Sequence, residues 1–115
     1  MIFVIDDDEI MAECISRAMS PEKTRIFGNA IDAMSAIDEE LPKLIFLDIL
    51  LDGPDGFTFL NELASYSDTA KIPIIIVSTI DISGKDLSSY GVVKIVNKEK
   101  MTPAEIKSYV NEFAK

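Results

Sequence analysis

Short apolar runs alternate with amphipathic stretches along the whole chain, and this alternation is the strongest constraint on the fold. Runs of four or five mostly apolar residues suit buried strands and are too short for core helices. The stretches between them carry apolar residues three or four positions apart, which is the spacing of a helix face. The alternation therefore predicts an α/β domain whose parallel sheet is covered by helices on both faces.

The predicted strands and helices follow one another without a linker or a repeat. Strands are predicted at residues 2–5, 24–27, 44–47, 73–77 and 92–96. Helices are predicted at residues 9–19, 30–40, 56–66 and 81–90, and a last helix follows Thr102. That last start is indicated by the capping threonine, Pro103 at the first helical position and Glu105. Segment 81–90 has the lowest helix propensity, because Gly84 and three serines dilute it.

Apolar spacing also predicts which helix faces enter the core. In the first helix the predicted face consists of Ile10, Met11, Cys14, Ile15, Ala18 and Met19. In the second helix it consists of Ile31, Met34, Ile37 and Leu41. Cys14 is the single cysteine, so an internal disulfide and a cysteine-rich metal site are excluded. We interpret it as a small buried side chain.

Composition excludes several classes of function. A chain of 115 residues fits one domain, here residues 1–115, and 48% hydrophobic residues allow a real core. No apolar run approaches the ~20 residues of a membrane span, and acids from Asp6 onward argue against a signal peptide, so we expect a cytoplasmic protein without membrane insertion. The absence of histidine excludes histidine catalysis within the chain. A net charge of −9 disfavours nucleic acid as a direct partner and is consistent with binding a cation or a basic protein surface.

Four of the predicted strands end on residues that can handle phosphate or metal. The first strand runs into Asp6-Asp7-Asp8, and the third runs into Asp48. The fourth runs into Ser78, and the fifth runs into Lys98. In open parallel sheets, ligands bind beyond the carboxyl ends of the strands. We therefore predict a single site at this edge of the sheet.

The acids at these strand ends predict a metal site. Asp6, Asp7 and Asp48 would crowd together, and like charges that close raise one another's pKa unless a cation intervenes. Mg²⁺, or Mn²⁺ in its place, suits a site of a few carboxylates, waters and phosphate oxygens. Asp8 is interpreted instead as the cap of the helix that follows.

Ser78 and Lys98 would complete a phosphoryl site. Opposite a carboxylate and a metal ion, a hydroxyl and an ammonium can each contact a phosphoryl oxygen, and phosphoryl transfer needs mainly such positioning and charge neutralisation. Asp48 is the predicted nucleophile, which would form an aspartyl phosphate. Taken singly, a serine after a strand is usually a turn residue and a lysine near a strand end is usually solvated. Their joint position favours the site.

The chain resembles the receiver domains of two-component response regulators over essentially its whole length. The matching stretches are Val4 to Glu9, Phe46 to Leu51, Gly53 to Phe57, Pro73 to Ser78, and Lys98. The resemblance implies the flavodoxin-like (βα)5 fold, a three-layer sandwich with a parallel five-stranded sheet of order 2-1-3-4-5. It also implies a phosphoacceptor role for Asp48, a switch role for the Ser78 hydroxyl and an ion pair between Lys98 and the phosphoryl group. The implied metal ligands are Asp6, Asp7, Asp48 and the backbone carbonyl of Leu50.

The resemblance implies protein partners as well. A histidine kinase or a phosphotransfer protein would supply the phosphoryl group, and an output protein of unknown identity would read it. Because the chain stops after its last helix, we expect a stand-alone receiver. We expect no turnover of a separate substrate, only self-phosphorylation from a phosphodonor and slow self-dephosphorylation. The slow rate is our hypothesis because Leu50 and Ile80, which flank the path of the attacking water, are apolar and would exclude it.

The chain departs from the family pattern at four places. Asp52 stands where receivers usually carry proline, and Ile95 stands where they often carry an aromatic switch residue. Glu99 stands where a cis proline usually follows the lysine; a non-proline cis bond costs ~2.5–4 kcal/mol, so the Lys98–Glu99 bond is either trans or held cis at that cost. Only 20 positions separate Ser78 from Lys98, which predicts a shortened output face.

Three other functions remain as alternatives. A receiver-like adaptor that binds partners whatever its phosphorylation state is favoured by the departures at Asp52, Ile95 and Glu99 and opposed by the intact acids. A phosphatase with an aspartate nucleophile would carry a second acid where this chain has Leu50. A flavin-binding electron carrier would need a hydroxyl- and glycine-rich loop after the first strand, and Asp6-Asp7-Asp8 stands there instead.

Overall fold

A five-stranded sheet forms the centre of the molecule in a computed structural model, which describes residues 1–49, 56–79 and 86–114. The strands are β1 (Ile2–Ile5), β2 (Thr24–Phe27), β3 (Leu44–Leu47), β4 (Ile74–Ser78) and β5 (Val92–Asn97). Their order is β2-β1-β3-β4-β5, and every neighbouring pair is parallel. The predicted parallel sheet and the order 2-1-3-4-5 are confirmed, and each strand lies within one residue of its predicted bounds.

In the described parts of the chain, four α-helices cover the two faces of the sheet. They are α1 (Glu9–Ala18), α2 (Ala30–Glu39), α3 (Gly56–Ala64) and α4 (Pro103–Phe113). α2 and α3 pack on one face, and α1 and α4 pack on the other, which gives the expected three layers. Within the described ranges, no helix has both the length and the apolar character that crossing a membrane requires.

The three central strands are buried on both faces, and their side chains alternate between two cores. The core under α2 and α3 includes Ile5, Leu47 and Ile76, and the core under α1 and α4 includes Val4, Phe46 and Val77. Full burial of such a side chain contributes about 1.5–3 kcal/mol relative to exposure. Because neither face of these strands has room for a polar group, polar chemistry is confined to the strand ends.

The predicted helix at residues 81–90 falls only partly within the described chain, since residues 80–85 lie outside it. For the described residues from Asp86 onward the α-helix prediction is wrong, because they form a single 3₁₀ turn at Ser88–Tyr90. The Asp86 carboxylate accepts hydrogen bonds from the Ser88 N–H and hydroxyl, which compete with helical pairing. Gly91 ends the turn at φ 84°, in the left-handed region that glycine adopts readily.

The predicted inner faces of α1 and α2 are wrong at four positions. Ile10 is 78% exposed and Cys14 is exposed, so Cys14 is not the buried side chain that the spacing suggested. Ile31 and Leu41 are 62% and 48% exposed. The prediction is confirmed at Ile15, Ala18, Met19 and Ile37, and the core also takes in four alanines that were not predicted, namely Ala12, Ala30, Ala33 and Ala36. Alanine lets a helix lie close to the sheet, so the larger apolar side chains are displaced to the edges of the contact.

The carboxyl end of α2 carries acidic residues and no basic residue in its last turn. Because the exposed carbonyls there already form the negative end of the helix dipole, the carboxylates of Asp38 and Glu39 are placed unfavourably. We expect Glu39→Lys to raise the free energy of unfolding by about 0.3–1 kcal/mol in low salt. Chemical denaturation checks this, with Glu39→Gln expected to lie between the parent and the lysine variant. A gain that persists in high salt would contradict the electrostatic cause.

Candidate functional site

Backbone hydrogen bonds of the sheet fix the strand-end residues at one edge. The Asp48 N–H donates to the Ile5 carbonyl oxygen at 2.9 Å, so Asp48 lies beside Asp6, which follows Ile5. The Lys98 N–H donates to the Ser78 carbonyl oxygen at 2.9 Å. The strand-end residues therefore meet at one edge, as predicted, and the hydrogen bonds that bring them together are between main-chain atoms.

The Lys98 ammonium lies between two buried carboxylates. Its Nζ donates to Asp48 Oδ2 at 3.1 Å and to Asp6 Oδ1 at 3.0 Å, and lies 2.8 Å from Asp6 Oδ2. Asp7 is exposed at the rim, and ligand oxygens of Asp6, Asp7 and Asp48 all lie within 4.8 Å of one another. Asp8 does not join them; its carboxylate accepts the N–H groups at the start of α1, which confirms its predicted role as the cap.

Burial and the mutual hydrogen bonds of Asp6, Asp48 and Lys98 set the electrostatics of this cluster. Burial raises the pKa of Asp6, an effect that the hydrogen bonds from Lys98 and from the Asp8 N–H offset only in part and to which the Asp48 charge adds. Burial by itself lowers the pKa of Lys98, but the hydrogen bonds to Asp6 and Asp48 and their charges outweigh it, so the Lys98 pKa is raised. The lysine therefore stays charged while it bridges the two acids.

The donor set fits a hard divalent cation. Asp6 Oδ2 is buried and accepts no hydrogen bond among the described residues, since Lys98 Nζ, although 2.8 Å away, is not aligned for one. When all three aspartates are ionised, three negative charges face one ammonium. Carboxylate oxygens of this number and type are the ligands that Mg²⁺ and Mn²⁺ take in proteins.

The structure describes some of the remaining residues predicted for the site and not others. Ser78 is 1% exposed at the carboxyl end of β4, the strand that pairs with β3. Its role as a switch hydroxyl stays a prediction. Leu50, Asp52 and Ile80 lie outside the described residues, so the predictions for the metal-binding carbonyl, the loop and the water path also stay predictions.

Two of the departures noted above, Glu99 and Ile95, lie close to Lys98 in the chain. Among the described residues the single cis peptide bond is Ser20–Pro21, so the Lys98–Glu99 bond is trans, which is the first of the two alternatives above. The Glu99 N–H donates to Asn97 Oδ1 at 2.8 Å and stabilises this turn. Ile95 is half-buried against the core under α2 and α3.

Gly56 brings α3 into close contact with the site, a feature that sequence reasoning did not single out. Its N–H donates to the Ile49 carbonyl oxygen at 3.0 Å. A Cβ at Gly56 would lie 2.7 Å from Ile49 Cα and 2.9 Å from the Asp48 carbonyl oxygen. The first residue of α3 therefore packs directly on the backbone that holds Asp48, and only a residue without a side chain fits.

The sequence profile of the response regulator receiver domain matches residues 2–111. The chain belongs to this family. As a receiver domain it is 32% identical over 87 residues to the response regulator PleD of Caulobacter vibrioides, a match that covers 72% of this chain and 19% of PleD. It is 27% identical over 109 residues to protein-glutamate methylesterase/protein-glutamine glutaminase 2 of Oleidesulfovibrio alaskensis, which covers 88% of this chain and 30% of that protein. The receiver domain thus spans about a fifth to a third of these relatives.

Solved receiver structures share the fold of this receiver domain. The receiver domain of NtrX from Brucella abortus superposes with a TM-score of 0.86 at 23% identity, covering 99% of this chain and 98% of that one. The Mn²⁺-bound form of response regulator Rcp1 superposes with a TM-score of 0.81 at 17% identity, covering 99% and 94%. At these identities the likeness shows the flavodoxin-like fold alone.

Proposed function

We propose that this receiver domain accepts a phosphoryl group on Asp48 from a histidine kinase or a phosphotransfer protein and changes its partner binding as a result. The observation that carries the proposal is the Lys98 ammonium bonded to both Asp6 and Asp48 at the edge of the sheet, with Asp7 at the rim. These groups can neutralise a dianionic phosphoryl group, whose transfer needs charge compensation more than any other help.

The chemical step is a displacement at phosphorus. An Asp48 carboxylate oxygen forms the new P–O bond while the bond between phosphorus and the donor histidine nitrogen breaks, and that nitrogen keeps the electron pair. Lys98 lies 3.1 Å from Asp48 Oδ2, close enough to contact an oxygen of the group once it is attached there. Asp6 and Asp7 are the proposed metal ligands beside Asp48, with the Leu50 carbonyl as a further one. A bound Mg²⁺ would supply charge neutralisation for the phosphoryl oxygens.

The proposed switch follows from the partners that Lys98 has in the unmodified protein. An aspartyl phosphate adds roughly −1.5 to −2 charges at neutral pH. Lys98 then bonds to a phosphoryl oxygen instead of dividing its hydrogen bonds between Asp6 and Asp48, and the Ser78 hydroxyl moves toward the group. Because Lys98 and Ser78 stand at the ends of β5 and β4, the change reaches the surface beside these strands, where an output partner would bind in the cytoplasm.

A small phosphodonor tests the proposal. Incubating the protein with Mg²⁺ and acetyl phosphate should add one phosphoryl group, detected by intact mass, and a chelator should prevent the addition. The receiver-like adaptor predicts no added mass under either condition, and the family assignment does not favour it. A mass shift that survives chelation would contradict the proposed metal dependence.

Thermal unfolding measures metal binding separately from phosphoryl uptake. With Mg²⁺ at about ten times its dissociation constant, binding to the folded state adds about 1.4 kcal/mol, which raises Tm by roughly 5 °C for a domain of this size. Asp7→Asn should remove most of this gain, because it takes away one of the three proposed carboxylate ligands. Asp7 is the exposed member of the group, so the variant should still fold. Asp32→Asn, on the outer surface of α2, should keep it. An equal Mg²⁺ effect on both variants would contradict a site at the strand ends.

A further inference from the structure

A groove runs along α2 and α3 on one face of the sheet. Two adjoining cavities of about 540 Å³ and 310 Å³ form it, and Met34, Asp38 and Glu62 line both of them. One end reaches Ile31 and the other reaches Leu41 and Tyr66. We call this surface the α2–α3 groove.

The groove exposes three large side chains, of which Ile31 and Leu41 were predicted from helical spacing to face the core. Ile31, Leu41 and Tyr66 are 62%, 48% and 56% exposed, although all three are large and at least partly apolar. Burying them against a partner would stabilise the complex through the hydrophobic effect. Exposed apolar residues along a groove with a polar rim are typical of a protein interaction surface.

The rim of the groove is acidic throughout. Its five carboxylates belong to Asp38, Glu39, Glu40, Glu62 and Asp68, and all five are exposed. In the part of the chain that the structure describes, none of them forms an ion pair or a side-chain hydrogen bond, and no lysine or arginine lines either cavity.

The helix ends add negative charge at the same place. α2 ends at Glu39 and α3 ends at Ala64, and neither helix has a basic residue in its last turn. Their exposed carbonyl groups therefore point the negative ends of two helix dipoles toward the acidic rim. This arrangement is unfavourable in the isolated protein and becomes favourable when cations cover it.

We propose that the α2–α3 groove binds a basic amphipathic helix of a protein partner. The apolar face of such a helix would contact Ile31, Leu41 and Tyr66, and its lysines or arginines would face the acidic rim, in the manner of helix-in-groove recognition. A second copy of this chain is a poorer occupant, because both copies carry a net charge of −9. A metal ion alone would leave the apolar side chains uncovered.

A designed peptide tests the groove on the full chain. The probe is a helix of about 14 residues, roughly 21 Å long, with leucines at positions i, i+3, i+4 and i+7 and lysines elsewhere. Amide chemical shifts should change mainly at residues 30–41 and 58–69. A peptide with the same leucines and glutamate in place of lysine should bind at least about tenfold more weakly.

Matched variants separate the groove from general attraction to an acidic protein. Glu40→Gln combined with Glu62→Gln should weaken peptide binding about three- to tenfold. Glu13→Gln combined with Glu112→Gln makes the same charge change elsewhere and should alter binding by less than about twofold. Leu41→Ser should weaken binding, and Ile26→Ser on the edge strand β2 should not. All of these positions are exposed, so the variants are expected to fold.

Three results would overturn the proposal. Equal losses in the two glutamine pairs would reduce the effect to net charge. Mg²⁺ alone that shifts the same amides and displaces the peptide would make the rim a cation site. Self-association of the free protein that Leu41→Ser abolishes would assign the groove to a second copy of the chain.

Discussion

Asp48→Asn is expected to abolish phosphoryl uptake from acetyl phosphate, leaving the intact mass unchanged where the parent gains one group. The amide keeps the size of the side chain and can still contact Lys98, but it is a far weaker nucleophile than a carboxylate and cannot form the acyl phosphate. The loss should be complete within detection, since the structure brings Asp48 to Lys98 at 3.1 Å. Intact-mass spectrometry with Mg²⁺ present measures it directly.

Asp38→Asn is the matched control for this experiment. It removes the same charge from an exposed aspartate in α2, outside the strand-end site, and should accept one phosphoryl group as the parent does. Thermal unfolding of both variants checks that each is folded. Uptake that persists in Asp48→Asn would place the phosphoacceptor elsewhere and contradict the proposed function.

Gly56→Ala is expected to lower the free energy of unfolding by about 1–3 kcal/mol, the usual range for overpacking a tight contact. The added methyl group would lie 2.7 Å from Ile49 Cα and 2.9 Å from the Asp48 carbonyl oxygen. Both are backbone atoms, so relief requires moving α3 or the end of β3. Since the same backbone carries Asp48, we also expect slower phosphoryl uptake. Denaturant unfolding and the rate of mass gain measure the two effects.

Gly28→Ala isolates the steric cause. A Cβ at Gly28 meets no atom within 4 Å, and its φ lies outside the left-handed region. Alanine there should be neutral or stabilising by up to about 1 kcal/mol, because it reduces the freedom of the unfolded chain. Equal destabilisation at Gly28 and Gly56 would show that the contact with Ile49 does not set the cost.

The strands were predictable from sequence because their side chains have no alternative environment. A run such as Ile74 to Val77 is apolar at every position, which suits only a strand buried on both faces. The site was predictable for the same reason, since the first polar residues after such strands must meet at one edge. The strand order was not deducible from the alternation and came from the family resemblance.

The helix faces were less predictable because apolar spacing does not distinguish a core position from an exposed one beside it. In α2 the sheet is contacted by Ala30, Ala33 and Ala36, whereas Ile31 is exposed. The Lys98–Asp6 contact was also missed. Its partners are 92 positions apart, and charge alone did not indicate that Lys98 would bridge two acids before any phosphoryl group arrives.

Because all strands of the sheet run in one direction, a protein bound at the carboxyl end of α2 and a phosphodonor at Asp48 can occupy opposite edges of the molecule. Helices run opposite to the strands, so the carboxyl end of α2 lies near the start of β3, whereas Asp48 follows its end, roughly 13 Å away at ~3.3 Å per residue. The part of the α2–α3 groove lined by Glu39, Glu40 and Asp68 lies toward that carboxyl end, so a basic helix held there leaves Asp48 open. If a flexible tether joins that helix to the phosphodonor, the donor's effective concentration at Asp48 reaches the millimolar range. The donor that binds the groove would then transfer its phosphoryl group faster than a free donor, although the groove does not contact the reacting atoms.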